Sequence, residues 1–259
     1  MKSKIPFLSL RYAAFGLGLA AGLLALIAGF VQFESGTHYF FRGAVLPVLS
    51  AVFAILGVCA ALAAGFLNPE SEHPEPRRAS FLPAAPGFFA SALVFFFLPS
   101  YPAKVSLILA VISMILLLFS CVFCLLSFLL KDPKYRGLLS LLGFFPTLAP
   151  AVLAFLYYFD KTVEMNSPLK VALQTGLLFG MALFLCEIRR LLGRPLPRLL
   201  FGLRLALFPA ASIGVGMILS TYFAGVFTRT DYLLGAILLL TLQISLLFDL
   251  FPAKKQDNI

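Results

Sequence analysis

The sequence predicts an all-α polytopic membrane protein with about eight transmembrane helices and both termini in the cytoplasm. Three observations predict this fold class: the composition, the spacing of the apolar runs and the distribution of the basic residues. Of the 259 residues, 61% are hydrophobic and 12% are charged. Soluble globular domains carry about 45–50% apolar and about 25% charged residues. Because a core of this size cannot bury so large an excess, most of the apolar surface must face lipid.

Eight apolar runs define the predicted spans, since a transmembrane helix needs about 17–25 mostly apolar residues. They cover residues 12–33, 44–67, 81–98, 105–130, 138–159, 171–186, 205–227 and 232–251. The first run exceeds the roughly 7–15 apolar residues of a signal peptide, so we expect it to be retained. The third run is the weakest, because Pro83 and Pro86 interrupt its start. The sixth is short unless Leu191 and Leu192 extend it.

The basic residues predict the orientation, because cytoplasmic loops of membrane proteins are enriched in Lys and Arg. With the N-terminus inside, the inner segments hold three quarters of the 20 basic residues. Without the third span, the basic segments 131–136 and 189–204 would lie outside, so eight spans fit better than seven. The net charge of +9 therefore indicates orientation rather than nucleic-acid binding. The short loops favour a bacterial inner membrane.

Matching segments predict an internal repeat. Residues 73–77 and 194–198 both follow the pattern x-P-x-P-R, and each lies between two spans at the same point of a four-span unit. Pro83 and Pro209 are separated by the same number of residues as Phe33 and Phe159. The sequence therefore predicts two halves, residues 1–131 and 132–259, with four helices each and no soluble domain. An even number of helices per half makes them parallel repeats about an axis along the membrane normal.

Residue types that carry catalysis or bind metals are scarce in the spans. His38 and His73 lie in loops on opposite sides of the predicted membrane, so they cannot share a metal site. Cys121 and Cys124 form C-x-x-C within an apolar run, where a thiolate is disfavoured, so we expect packing cysteines and no disulfide framework. No metalloprotease, serine-hydrolase or phosphate-loop motif is present. The sequence predicts no enzyme, no cofactor and no metal.

Four charged residues lie near the inner ends of the spans. Glu187 and Arg190 are three residues apart on one helical face, Arg204 begins the seventh span and Asp249 ends the eighth. Ionisable groups at membrane depth are functional candidates because they are costly there. An interfacial ion pair is the favoured interpretation, and a proton or substrate relay is the alternative. The basic segment 189–204 would also attract anionic lipid at the inner face.

Two carboxylates occupy matching positions at the outer ends of the first and fifth spans. Glu34 and Asp160 would either form an acidic mouth that attracts cations or be solvated loop charges; the second is the more common situation. Both alternatives stay open at this point.

Polar and helix-breaking residues within the spans define a candidate solute pathway. It comprises Gln243, Gln174, Ser212, Pro83 and Pro209. Pro-interrupted helices at corresponding positions of two halves are the best sequence indication of a transporter site. The competing interpretation is that the polar side chains form hydrogen bonds between helices, each contributing about 0.6 kcal/mol on average.

Two functional hypotheses follow. The first is a small transporter or channel-like protein with its site between the two halves. The second is a non-enzymatic membrane subunit, sensor or scaffold that acts through a partner protein; a lipid-modifying enzyme is a distant third. Gly18 and Gly22 form a G-x-x-x-G face that would pack either inside the bundle or in a homodimer. The lipid bilayer is the one partner that both hypotheses require.

Overall fold

The computed structural model describes residues 5–34, 37, 39–67, 81–97, 104–130 and 132–250, and this part of the chain is nearly all helical. The helices are α1 (Ile5–Val31), α2 (Val45–Leu67), α3 (Ala84–Phe97), α4 (Lys104–Leu129), α5 (Arg136–Leu142), α6 (Phe144–Phe159), α7 (Pro168–Leu191), α8 (Arg198–Phe223) and α9 (Thr230–Leu250). A short hairpin of β1 (Phe33–Glu34) and β2 (Tyr39–Phe40) connects α1 to α2.

Seven helical segments of the described chain are long and apolar enough to cross a membrane. One of them is composite: a 3-10 turn at Pro133–Tyr135, α5 and α6 follow one another and together form the 27-residue segment Pro133–Phe159. The expected third span corresponds to α3, whose described part has 14 residues, fewer than the roughly 17 that a spanning helix needs. Seven spanning segments are therefore supported, and the eighth span and the sides of the termini stay predictions.

The helix ends follow the predicted runs closely for α2 and α4 and differ for α7 and α8. Helix α7 continues through Glu187 and Arg190 to Leu191, so the charged stretch does not end it. Helix α8 begins at Arg198, seven residues before the predicted start, because its first two turns pack on α2. The predicted start of α8 lay directly after Arg204, whereas that residue is buried within the helix.

Helix α8 lies at the centre of the fold and packs against α1, α2, α7 and α9. Further contacts join α9 to α3, α3 to α4, α4 to α6 and α6 to α7. Within the described chain, α3, α4, α6, α7, α8 and α9 thus form a closed ring, and α1 and α2 pack together against α8. The predicted boundary between residues 131 and 132 does not coincide with this grouping, and the repeat stays a prediction.

Small residues allow α1 and α2 to approach α8 closely. A Cβ atom at Gly18 would lie 2.8 Å from the Phe208 ring, and one at Gly65 would lie 2.6 Å from the backbone of Gly202. Gly22 faces Ser212 in the same way. Helix pairs in membranes associate through such small-residue contacts, which bring the backbones together. The G-x-x-x-G face of α1 therefore packs inside the bundle.

Four buried phenylalanines fill the interior of the ring between α3, α4 and α7. Phe81 precedes α3, Phe88 lies in α3, Phe123 in α4 and Phe184 in α7, and all four are 0% exposed. Their ring centroids are 5.4 to 6.3 Å apart, the separation of favourable aromatic pairs. This part of the ring is consequently a packed core.

Candidate functional site

A groove of about 900 Å³ separates α2 from α7 and has α8 as its floor. Residues 47–59 of α2 and 168–179 of α7 contribute the walls, while Ala210, Ile213 and Met217 form the floor. In the predicted repeat, α2 belongs to the first half and α7 and α8 to the second. The volume falls in the range of about 300–1,000 Å³ that is typical of small-molecule sites.

The rim of this groove is continuous with the apolar exterior. Val48 and Ile55 on α2 are 61% and 62% exposed, and Val171 on α7 is 48% exposed. The groove therefore opens sideways, toward the lipid in a membrane. Among the described lining residues there is no carboxylate, ammonium or guanidinium group, and the polar side chains are few; Asn166 and Thr175 are two of them.

The β-hairpin covers one end of the groove, at the N-termini of α2 and α7. Tyr39 and Phe40 line the groove there, and the Tyr39 hydroxyl donates a 2.8 Å hydrogen bond to the Glu164 carboxylate in the α6–α7 loop. This hydrogen bond raises the pKa of the Tyr39 phenol. Gln32 accepts a hydrogen bond from the Leu46 backbone at the start of α2 and holds the hairpin from the other side. The hairpin thus forms a roof that joins α2 to the α6–α7 loop.

A buried ionic network fixes the α6–α7 loop that carries Glu164 and Asn166. Arg229 pairs with Asp160 at 3.1 Å and with Asp231 at 2.6 Å. The hydrogen bond to Asp231 raises the pKa of the Arg229 guanidinium, so the group stays charged. Lys170 is 1% exposed and donates from Nζ to the carbonyl oxygens of Asp160 at 2.6 Å and Val163 at 3.2 Å. Such charge-assisted bonds are among the strongest in proteins.

Two of the predicted pathway residues, Gln243 and Ser212, meet on the opposite side of α8, whereas the Pro209 ring lies next to Gly57 of α2. Gln243 donates from Nε2 to the Phe208 carbonyl at 2.8 Å and to the Ser212 hydroxyl at 2.9 Å, and Pro209 follows Phe208 directly. Gln243 and Ser212 also line a smaller cavity of about 300 Å³ between α1, α8 and α9. The residues from Pro209 to Gly216 on α8 therefore form a thin partition between the two cavities.

The other two predicted pathway residues lie elsewhere. Gln174 donates to the Ala154 carbonyl of α6 at 3.2 Å, which is a contact between neighbouring helices. Pro83 lies in the turn before α3 and does not interrupt that helix. Neither residue lines either cavity.

The inner charges are more deeply buried than interfacial groups would be. Arg204 is 0% exposed, Glu187 1% and Arg190 9%. Glu187 and Arg190 form the predicted ion pair at 3.6 Å, and the Arg204 guanidinium lies 5.8 Å from the Phe201 ring centroid, a cation–π distance. The side chain of Asp249 lies outside the described part of the chain.

The two outer carboxylates have different environments. Glu34 is exposed and accepts a 2.8 Å hydrogen bond from Thr37. Asp160 is 7% exposed and accepts hydrogen bonds from Thr162, Arg229 and Tyr232. Asp160 is therefore a member of the buried network, and the acidic mouth stays a prediction.

Within the described chain, no group of three or more His, Cys, Asp or Glu side chains is placed to hold a metal ion. All four cysteines are described and free. His38 and His73 lie outside the described residues.

The groove and its roof were not found from the sequence. The basic residues of the loops were used only to predict orientation, although Arg229 and Asp160 are partners across 69 residues. The wall of α2 is one side of a uniformly apolar run, so no periodic signal separated groove-lining from lipid-facing residues. The pairing of loop charges of opposite sign was the one signal that would have indicated the network.

No family model, curated protein or solved structure is significantly similar to the chain.

Proposed function

We propose that the protein is a small membrane transporter for an apolar or amphipathic solute, with its site in the groove between α2 and α7. The groove itself carries the proposal: it has the volume of a ligand site, opens sideways and is covered at one end by the hairpin. A solute that enters from lipid would meet an apolar wall, which favours an apolar rather than an ionic cargo. The lining described here lacks the charged rings that select ions in channels, so a transporter is favoured over an ion channel.

The proposal includes the predicted topology. Both termini lie in the cytoplasm of a bacterial inner membrane, and the hairpin roof then lies on the outer side. The site lies between the halves 1–131 and 132–259, whose helices would move relative to each other during transport. Anionic lipid at the basic segment 189–204 would stabilise the inner face. No cofactor or metal is part of this mechanism.

The alternative function is a non-enzymatic subunit, sensor or scaffold. The G-x-x-x-G face of α1 no longer favours it, because Gly18 and Gly22 are occupied by α8 within the chain. The exposed apolar surface of the helices is expected of any protein that faces lipid. The groove therefore gives transport the stronger support.

Reconstitution into liposomes tests the proposal. We expect the protein to accelerate the movement of at least one fluorescent amphiphile across the bilayer. Ile55→Trp, which places an indole at the groove rim, should lower this rate roughly tenfold, since the indole removes about ten non-bonded contacts between solute and groove, at about 0.1–0.2 kcal/mol each. Leu56→Trp is the matched control, because Leu56 is 50% exposed, neighbours Ile55 and does not line the groove.

Two outcomes would contradict transport. One is the absence of flux for phospholipids, fatty acids and apolar dyes alike, with the protein shown to be folded in the same liposomes. The other is flux that both tryptophan variants reduce equally, because the groove would then have no specific part in it. If no flux is found and the protein is recovered from membranes with a stoichiometric partner protein, the scaffold alternative would be supported.

A further inference from the structure

We infer that the groove between α2 and α7 binds one acyl chain of a phospholipid from the outer leaflet, with the lipid headgroup at the hairpin roof. The inference rests on the proposed function, since it names the solute of the same site. Three properties of the groove carry it: its length, its graded polarity and the position of its roof.

The length of the groove matches one leaflet. The α2 wall runs from Pro47 to Cys59, about 18 Å at 1.5 Å per residue. The α7 wall runs from Pro168 to Phe179, about 16 Å by the same rise. The hydrocarbon core of a bilayer is about 30 Å thick, so the groove spans roughly half of it. An acyl chain anchored at the surface extends over the same depth.

Polarity changes along the groove as it does along a lipid. The hydroxyl of Tyr39 and the amide of Asn166 lie at the roofed end, and the lining beyond Thr175 consists of aliphatic and aromatic side chains with Cys59 and Met217. A headgroup would meet hydrogen-bonding groups at the roof, while the chain would lie on Ala210 and Ile213 of α8. Contacts with the groove replace the contacts of the chain with neighbouring lipid chains, so close packing along the walls, and not transfer out of water, favours its binding.

The roof distinguishes a lipid from a helix of a partner protein. A transmembrane helix is about 10–12 Å wide and continues through both leaflets. Tyr39, Phe40 and Phe41 lie across the end of the groove, and the hydrogen bond from Tyr39 to Glu164 ties them to the opposite wall. A straight helix seated in the groove would collide with this hairpin. A flexible chain that enters sideways past Val48 and Ile55 would not.

Photo-crosslinking in liposomes tests the inference, with two phosphatidylglycerol probes that carry a diazirine either near the headgroup or at the end of one acyl chain. We expect the first probe to label peptides containing Tyr39 or Asn166 and the second to label those containing Cys59 or Phe179. Thr175→Trp should reduce labelling by the chain-end probe about tenfold, the factor expected when about ten non-bonded contacts between the chain and the groove are lost. Leu178→Trp should leave labelling by this probe within about twofold of wild type, because Leu178 lies on the exposed face of α7 and does not line the groove.

Equal labelling of the whole outer surface, insensitive to Thr175→Trp, would overturn the inference. Crosslinks that a bifunctional reagent forms between groove residues of α2 or α7 and a second copy of the chain would overturn it too, because a protein surface would then fill the groove. Groove labelling without flux would support the lipid site and contradict transport. Flux of another amphiphile, blocked by Ile55→Trp without any lipid labelling, would support transport and overturn the lipid.

Discussion

Replacing Lys170 by Met tests whether the buried network holds the roof loop. The substitution keeps an apolar side chain of similar length and removes the ammonium that bonds two carbonyl oxygens at 2.6 and 3.2 Å. A hydrogen bond from a charged group contributes about 1.5–3 kcal/mol, and the second bond is long. Removing the buried charge also abolishes its desolvation cost. We therefore expect a net loss of about 2 kcal/mol of unfolding free energy.

Thermal unfolding in detergent micelles measures this loss. A thiol-reactive fluorogenic dye reports unfolding, because Cys124 and Cys186 are buried and become reactive when the helices separate. At about 2–4 °C per kcal/mol for a chain of this size, Lys170→Met should lower Tm by about 4–8 °C. Lys161→Met, at an exposed position of the same loop, is the control and should leave Tm unchanged. Equal Tm values for the two variants would refute the assignment of the loop's stability to the Lys170 bonds.

Three further predictions concern helix packing, polar contacts and the roof. Gly65→Ala should destabilise the fold by about 1–3 kcal/mol through overpacking, because its Cβ would lie 2.6 Å from the α8 backbone. Gly16→Ala, which has open space around it, should instead stabilise α1 by up to about 1 kcal/mol. The dye assay compares the two variants, and similar Tm values would contradict the close packing of α2 on α8. Gln243→Leu loses two hydrogen bonds and should lower the free energy of unfolding by about 1 kcal/mol, at about 0.6 kcal/mol for each bond. Gln174→Leu loses one and should have about half that effect, so a larger loss of stability for Gln174→Leu would be inconsistent with these contacts. Glu164 holds the pKa of the Tyr39 phenol above its ordinary value, so the hydrogen bond between them is complete below pH 10 and is lost as the pH rises through the raised pKa of the folded protein. Glu164→Gln should lower the Tyr39 pKa in NMR titrations of tyrosine-labelled protein. An unchanged Tyr39 titration would exclude the hydrogen bond.

The spans were largely predictable from the sequence, because lipid imposes a length and a polarity on each helix. The ends of α2 and α4 agree with the apolar runs to within a residue. Helix α7 extends to Leu191, the longer of its two expected extents, and Glu187 and Arg190 are buried as a pair within it. The described part of α3 starts after Pro83, one of the two prolines expected to interrupt the start of this run.

The candidate site was only partly predictable. Gln243 and Ser212, two of the residues predicted for the pathway, are joined by a hydrogen bond, and their part in a pathway stays a prediction. The groove was not predictable, because an apolar side chain is equally compatible with lipid, with a neighbouring helix and with a bound chain. Which of these it faces depends on the angles at which α2 and α7 cross α8, and no periodicity in a uniformly apolar run encodes those angles.

An experimental structure of the protein in a phospholipid nanodisc would show whether an acyl chain occupies the groove between α2 and α7. We expect α2 and α7 apart on α8, the hairpin joined to the α6–α7 loop through Tyr39 and Glu164, and elongated density of one hydrocarbon chain along Ala210 and Ile213. A map in which α2 packs directly on α7 and leaves no space above α8 would contradict it.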